Sequence, residues 1–187
     1  MVPIAVLDAC VLYSAPVRDL LIRLARQDLL WIRWSEEILD ETFAALRARR
    51  PDLDPTRLER TRRLMTEAFP DALVEDHMSL ISQIALPDPD DRHVLAAAIR
   101  AGAQWIVTEN VKDFPGGATK EHGISVITPD EIVLLLVEKA PDVVVQVVER
   151  QAQALRNPPC TLAELLQILK RHGLRRGVEA LGKVAGT

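Results

Sequence analysis

Hydrophobic and polar positions follow two rhythms along this chain. Short apolar runs recur at residues 3–8, 30–34, 104–108 and 124–127, each bounded by polar or turn-forming residues. Runs of that length, rich in Val, Ile, Leu and Trp, predict buried strands. Between them, apolar residues recur three and four apart, the spacing of one helical face. Val17, Leu20 and Leu24 mark such a stripe over 16–27, and Ser35 is placed to cap a helix over 36–49. Asp54-Pro55 opens a third helix running to about residue 69, and Asp88-Pro89 opens a fourth over 90–101, closed by Gly102. Thr128-Pro129-Asp130-Glu131 reads as a capping box with proline at the first helical position. Residues 72–75 form a weaker strand candidate and 78–86 an ambiguous helical piece.

Strand and helix patterns therefore alternate over residues 1–137, which predicts a mostly parallel sheet with helices on both faces. Residues 138–187 carry helical patterns only. One helix covers 143–156 and Pro158-Pro159 breaks it. A second capping box, Thr161 to Glu164, then starts a helix striped by Leu165, Ile168 and Leu169. The stripe is expected to pack as core rather than as an interface. Gly173 ends that helix, and a short last one covers 174–181. The expectation is an α/β domain over 1–137 with a helical C-terminal extension over 138–187.

Composition narrows the class. With 48% hydrophobic residues, 187 residues can bury one full core. The two cysteines, Cys10 and Cys160, offer neither a disulfide framework nor a CxxC spacing, which suits a reducing, cytoplasmic location. The N-terminus lacks a basic region and a long apolar run, so no signal peptide is expected, and no stretch nears the ~20 apolar residues of a membrane span. A net charge of −4 argues against indiscriminate coating of nucleic acid. Yet Arg47, Arg49, Arg50, Arg57, Arg60, Arg62 and Arg63 face only Asp52, Asp54 and Glu59 in the same stretch. That ridge would grip phosphates beside an acidic pocket, or else be the solvated face of a helical pair.

The candidate chemistry lies in acids at the ends of elements. Asp8 closes an all-apolar strand, where solvation gives it no reason to be. Glu36, Glu37, Asp40 and Glu41 crowd one helix; Glu41 shares a face with Ile38 and Ala45 and is expected to point inward, with Glu37 the second choice. In Asp88-Pro89-Asp90-Asp91, capping accounts for Asp88 and the helix dipole for Asp90. Asp91 shares its face with Val94, Leu95 and Ala98 and is the better ligand. Past the third apolar run come Thr108, Asn110 and Asp113. Thr108 could orient a carboxylate through its hydroxyl, and Asn110 could offer an amide oxygen. Such a set of oxygen donors suits hard divalent cations that serve phosphoryl chemistry. The histidines, His77, His93, His122 and His172, show no zinc spacing and read as ordinary residues. Cys10 is expected to be buried and inert. There is no GxGxxG, Walker loop or GxSxG.

Taken together, Leu7-Asp8-Ala9-Cys10-Val11-Leu12, Ser35 with Glu41, Leu86-Pro87-Asp88-Pro89-Asp90-Asp91, and Val107-Thr108-Glu109-Asn110-Val111-Lys112-Asp113-Phe114-Pro115 resemble the PIN-domain ribonucleases, including the VapC-type toxins of toxin–antitoxin pairs. The resemblance covers residues 1 to about 135. It implies a three-layer α/β/α fold, Mg²⁺ or Mn²⁺ held by Asp8, Glu41, Asp91 and Asp113, and single-stranded RNA as substrate. It also implies an antitoxin protein as partner and a homodimer. Many members carry an acid where Asn110 stands, so the fourth carboxylate here falls to Asp113. A noncatalytic PIN-like module acting through a partner protein is the rival reading.

Overall fold

In the computed structural model, which describes residues 2–156 and 158–186, the four apolar runs become four strands. Met1 and Thr187, the outer ends of the two predicted segments, lie outside the described residues. The strands are β1 (Ile4–Leu7), β2 (Trp31–Arg33), β3 (Trp105–Val107) and β4 (Ser125–Ile127), in the order β2-β1-β3-β4. Every pair is parallel. Both faces of such a sheet must be covered, which is why the central strands, Ile-Ala-Val-Leu and Trp-Ile-Val, are apolar throughout with no polar alternation. The result is the expected three-layer α/β/α arrangement.

Register brings three strand ends into line. Leu7 pairs with Val107, and Val107 with Ile127, so β1, β3 and β4 end level with one another. The next residues, Asp8, Thr108 and Thr128, leave the sheet side by side. The Asp8 amide donates to the Val107 carbonyl (3.0 Å), and the Thr108 amide to that of Ile127 (3.0 Å). Functional groups of open parallel sheets collect at this carboxyl edge.

The helices are α1 (Ala9–Tyr13), α2 (Ala15–Ala25), α3 (Glu36–Arg49), α4 (Pro55–Ala68), α5 (Arg92–Arg100), α6 (Gly116–Thr119), α7 (Pro129–Lys139), α8 (Pro141–Ala154), α9 (Leu162–Arg171) and α10 (Arg175–Ala185). The predicted caps act as expected: Ser35 Oγ accepts from the Ile38 amide, and Thr128 and Thr161 each form complete capping boxes. Four expectations shift. Residues 72–75 contribute one parallel bridge, Trp34 to Leu73, because a 3₁₀ turn over Pro70–Ala72 takes up the segment's start. Residues 78–86 hold a 3₁₀ turn, Met78–Gln83. Pro89–Asp91 is also 3₁₀, so the α-helix proper begins at Arg92. Helix α1, too short to show a period, starts straight after Asp8.

The C-terminal helices join the same apolar core as the sheet. Val144, Val147, Val148, Leu165, Leu169 and Leu174 are buried in it, while Ile168 is half-buried. Helix α8 lies on α2, where Gln151 Nε2 donates to the Pro16 carbonyl (3.0 Å). Helix α10 lies on α7, and Asp130 accepts the backbone N–H groups of Arg176 (3.0 Å) and Gly177 (2.8 Å). That contact leaves no room for a side chain at Gly177, where a Cβ would sit 2.8 Å from Val133 Cγ1. Gly177→Ala is expected to destabilise the protein by about 1–3 kcal/mol, the usual cost of overpacking. A melt should show the midpoint falling by roughly 2–4 °C per kcal/mol; an unchanged midpoint would mean that the α7–α10 contact yields to the extra methyl.

Candidate active site

Asp8 is held from three sides. One carboxylate oxygen, Oδ1, accepts the Ala9 amide that opens α1 (2.7 Å). The other, Oδ2, accepts the Thr108 hydroxyl (2.6 Å) and the Cys10 thiol (3.2 Å). The residue is only 4% exposed, so these donors replace the water that a buried carboxylate loses. Thr108 is fully buried and its Oγ1 accepts the Asn110 amide at 3.0 Å. Donating to Asp8 and accepting from Asn110, the hydroxyl locks the β3 loop to the end of β1. Asn110 enters this network through its backbone N–H. Thr108→Val keeps the shape but leaves Asp8 one donor short. We expect a 10–100-fold loss of cation affinity or activity, the range for groups that orient a ligand; calorimetric titration with Mn²⁺ measures it, and wild-type affinity in the variant would remove Thr108 from the site.

Asp91 faces this carboxylate from the first turn below α5. Its carboxyl is pushed up to about 6 from an ordinary 3.8, first by burial and then by repulsion from Asp8, Asp88, Asp113 and Glu41. Four acids from four separate stretches thus act on one carboxyl. Asp88 serves as the predicted cap, accepting the Asp90 amide (2.9 Å), and Asp90 is exposed.

Glu41 differs from expectation in one respect. Its side chain is 59% exposed, so it stands at the rim rather than pointing into the core. It still reaches the acids, being among the charges that raise Asp91. Glu37, one turn earlier, is more enclosed but is turned elsewhere. Its Oε2 lies 3.1 Å from His77 Nε2, off the line a hydrogen bond needs, so the pair is one of charge proximity. Burial would raise the Glu37 carboxyl, yet its own backbone N–H, Ser35, His77 and His93 outweigh that and hold it below the usual range.

Of the histidines read as ordinary residues, His93 proves to border the site, whereas His77 is a core residue against Glu37. His77 is 3% exposed against Glu37, and His93 Nε2 lies 3.6 Å from Glu41 Oε2. The one sequence signal for His93 was its place two residues past Asp91. Cys10 is half-buried rather than buried, yet inert as expected: burial first, then the Asp8 charge, push its thiol up to about 12, so it carries no thiolate near neutrality.

Among the described residues, no three acidic, histidine or cysteine side chains close to metal-coordinating spacing. The acids stand farther apart, close enough for Asp8, Asp88, Asp113 and Glu41 to act on Asp91 by charge. Their chemistry fits a divalent cation: every donor is a hard oxygen, and the surplus negative charge that raises Asp91 is what such an ion neutralises.

The arginine ridge survives only in part. Arg62 is held between Glu36 (2.5 Å) and Asp40 (2.6 Å), and Arg50 pairs with Asp52 (2.6 Å). Arg47, Arg49, Arg57 and Arg60 are exposed, with no ion pair among the described residues.

Residues 5–112 match the family described as PIN domain, and residues 129–183 match one described as VapC50 C-terminal domain. A Mycobacterium tuberculosis H37Rv protein named "Putative ribonuclease VapC50" is 39% identical over 79 residues. That alignment covers 42% of this chain and 47% of the relative, about half of its length. No solved structure matches.

Proposed function

The chain belongs to the PIN-domain family, and from that premise we propose that it is a Mg²⁺- or Mn²⁺-dependent endoribonuclease, the toxin of a toxin–antitoxin pair. The observation that carries this is the Asp91 carboxyl, raised to about 6 by burial and then by the charges of Asp8, Asp88, Asp113 and Glu41, with Asp8 at the carboxyl edge of the sheet. The likeness to a relative named as a ribonuclease supports RNA as substrate.

Asp8, Asp91, Glu41 and Asp113 would hold the cation, which when bound acidifies water and offsets charge on the phosphate. The protein's own share is placement. Thr108 and the Ala9 amide fix both oxygens of Asp8, so that carboxylate meets a ligand without losing further side-chain freedom. Asp91 comes from the base of α5 and Asp113 from the loop past β3. Hydrolysis adds water to phosphorus and expels the ester oxygen, which leaves with a proton. We place the protein in the cytoplasm, with single-stranded or loop RNA as substrate and an antitoxin protein and a second copy of itself as partners. No helix among the described residues is long and apolar enough to cross a membrane.

The test is cleavage of a structured-RNA pool with Mn²⁺, comparing wild type, wild type with EDTA, and Asp8→Asn. Products should appear in the first alone, with the variant more than ~100-fold slower, beyond the cost of losing a merely orienting group. Cutting that persists in EDTA or in Asp8→Asn would end the metal-nuclease reading.

A further inference from the structure

We infer that the corner between α9 and α10 is a phosphate-binding rim of the acid pocket, gripping the RNA strand by its backbone; the choice of RNA rests on the nuclease reading above. Lys170-Arg171-His172-Gly173-Leu174-Arg175-Arg176 brings together four fixed cations and no acid, in a chain of net charge −4. All four cationic residues are exposed. Lys170 is 4.0 Å from Glu179, whereas Arg171, Arg175 and Arg176 make no ion pair among the described residues.

One hydrogen bond and one close approach seat this corner beside the site. His172 Nδ1 and Ser14 Oγ share a hydrogen bond (2.9 Å), and Ser14 caps the end of α1, the helix that Asp8 opens. Gly173 takes φ +98°, the left-handed region that lets the chain turn here, and a Cβ on it would lie 3.4 Å from Glu109 Oε1. Glu109 in turn donates its backbone N–H to Cys10 Sγ (3.4 Å), which lies 3.2 Å from Asp8 Oδ2. The corner thus lies against the end of α1 and beside Glu109, next to the stretches that carry Asp8 and Asp113. Asp130 already occupies the first amides of α10, so a phosphate would be met by the guanidinium groups.

The electrostatics require such a rim. A group of acids repels the polyanion it is meant to cut, so binding must come from cations at its edge. The α3–α4 ridge is weakened for that task because Arg62 and Arg50 are held by neighbouring acids.

The experiment is fluorescence anisotropy of a labelled single-stranded RNA over a salt series, in EDTA so that cleavage cannot interfere. It compares the full chain with R175Q/R176Q and with R171Q. The double variant should raise Kd about tenfold and flatten the slope of log K against log salt by about 1.4, about 0.7 for each lost phosphate contact. In Mn²⁺, KM should rise with kcat kept, and the melting midpoint should not move. An unchanged Kd and slope, or a wild type that does not bind the RNA, would overturn the rim. Loss of a protein partner with RNA binding intact would assign the corner to protein docking and overturn it equally. Rim-dependent binding by a wild type that does not cleave in Mn²⁺ would uphold the rim and sink the nuclease reading.

Discussion

Asp91→Asn is expected to abolish metal-dependent cleavage and, in the same variant, to raise the melting midpoint of the metal-free protein at about pH 8. Both effects have one cause. The folded Asp91 carboxyl sits at about 6 through burial and then the charges of Asp8, Asp88, Asp113 and Glu41, against an ordinary 3.8. The folded state therefore holds this proton more tightly than the unfolded chain. The stability that comes with the neutral form is fully present below about pH 3.8 and is lost as pH rises through about 6. Asparagine is neutral throughout, so the variant keeps that stability at about pH 8 and loses its advantage in acid. The site is partly open to water, and screening trims the gain to about 1 kcal/mol, or roughly 2–4 °C.

A cation reverses the comparison. At a hundredfold excess over its Kd, a bound ion stabilises the wild type by about 2.7 kcal/mol, and the variant, one carboxylate short, should gain far less. Wild-type affinity for the ion should also weaken as pH falls through about 6, because a protonated Asp91 cannot ligate. Melts at two pH values, with EDTA and with Mn²⁺, check all of this. A variant that in EDTA at about pH 8 melts below the wild type would show Asp91 to be a structural cap under no strain.

Ending the chain after Ala140 is expected to prevent cooperative folding, and it is the second large effect. The deletion strips Val144, Val147, Val148, Leu165, Leu169 and Leu174 from the shared core, each at most 3% exposed. At about 1.5–3 kcal/mol per buried apolar side chain, six of them match the roughly 5–15 kcal/mol that holds a domain folded. The Gln151 bond to Pro16 and the Asp130 caps on α10 go with them. Circular dichroism and a melt decide the matter. A truncated chain that melts sharply and loses only a binding partner would make the extension an interface.

Much of this arrangement is legible in one dimension because its causes are local. Apolar runs marked the four strands, Ser35, Thr128 and Thr161 marked helix starts through their own hydroxyls, and alternation implied parallel pairing. Asp8 stood out as an acid closing an all-apolar strand, and the cap it places on α1 accounts for only one of its two oxygens. Helix α1 and the 3₁₀ turns at Pro70–Ala72, Met78–Gln83 and Pro89–Asp91 did not show, since three to six residues cannot display a helical period. The inward face assigned to Glu41 failed because a face shared with Ile38 and Ala45 says which way a helix is striped, not how deep its neighbour sits.

By itself, then, the sequence determined the strand and helix succession, the carboxylates that stand at its junctions, and a C-terminal segment of amphipathic helices. Tertiary structure alone decided the rest: that Asp91 feels Asp8, Asp88, Asp113 and Glu41 together, that His93 lies beside Glu41, and that Lys170 to Arg176 turns beside Ser14 and Glu109. Repulsion, burial and steering act through space across residues far apart in the chain, and a distance of 98 positions between Cys10 and Thr108 becomes 3.4 Å only when β1 pairs with β3.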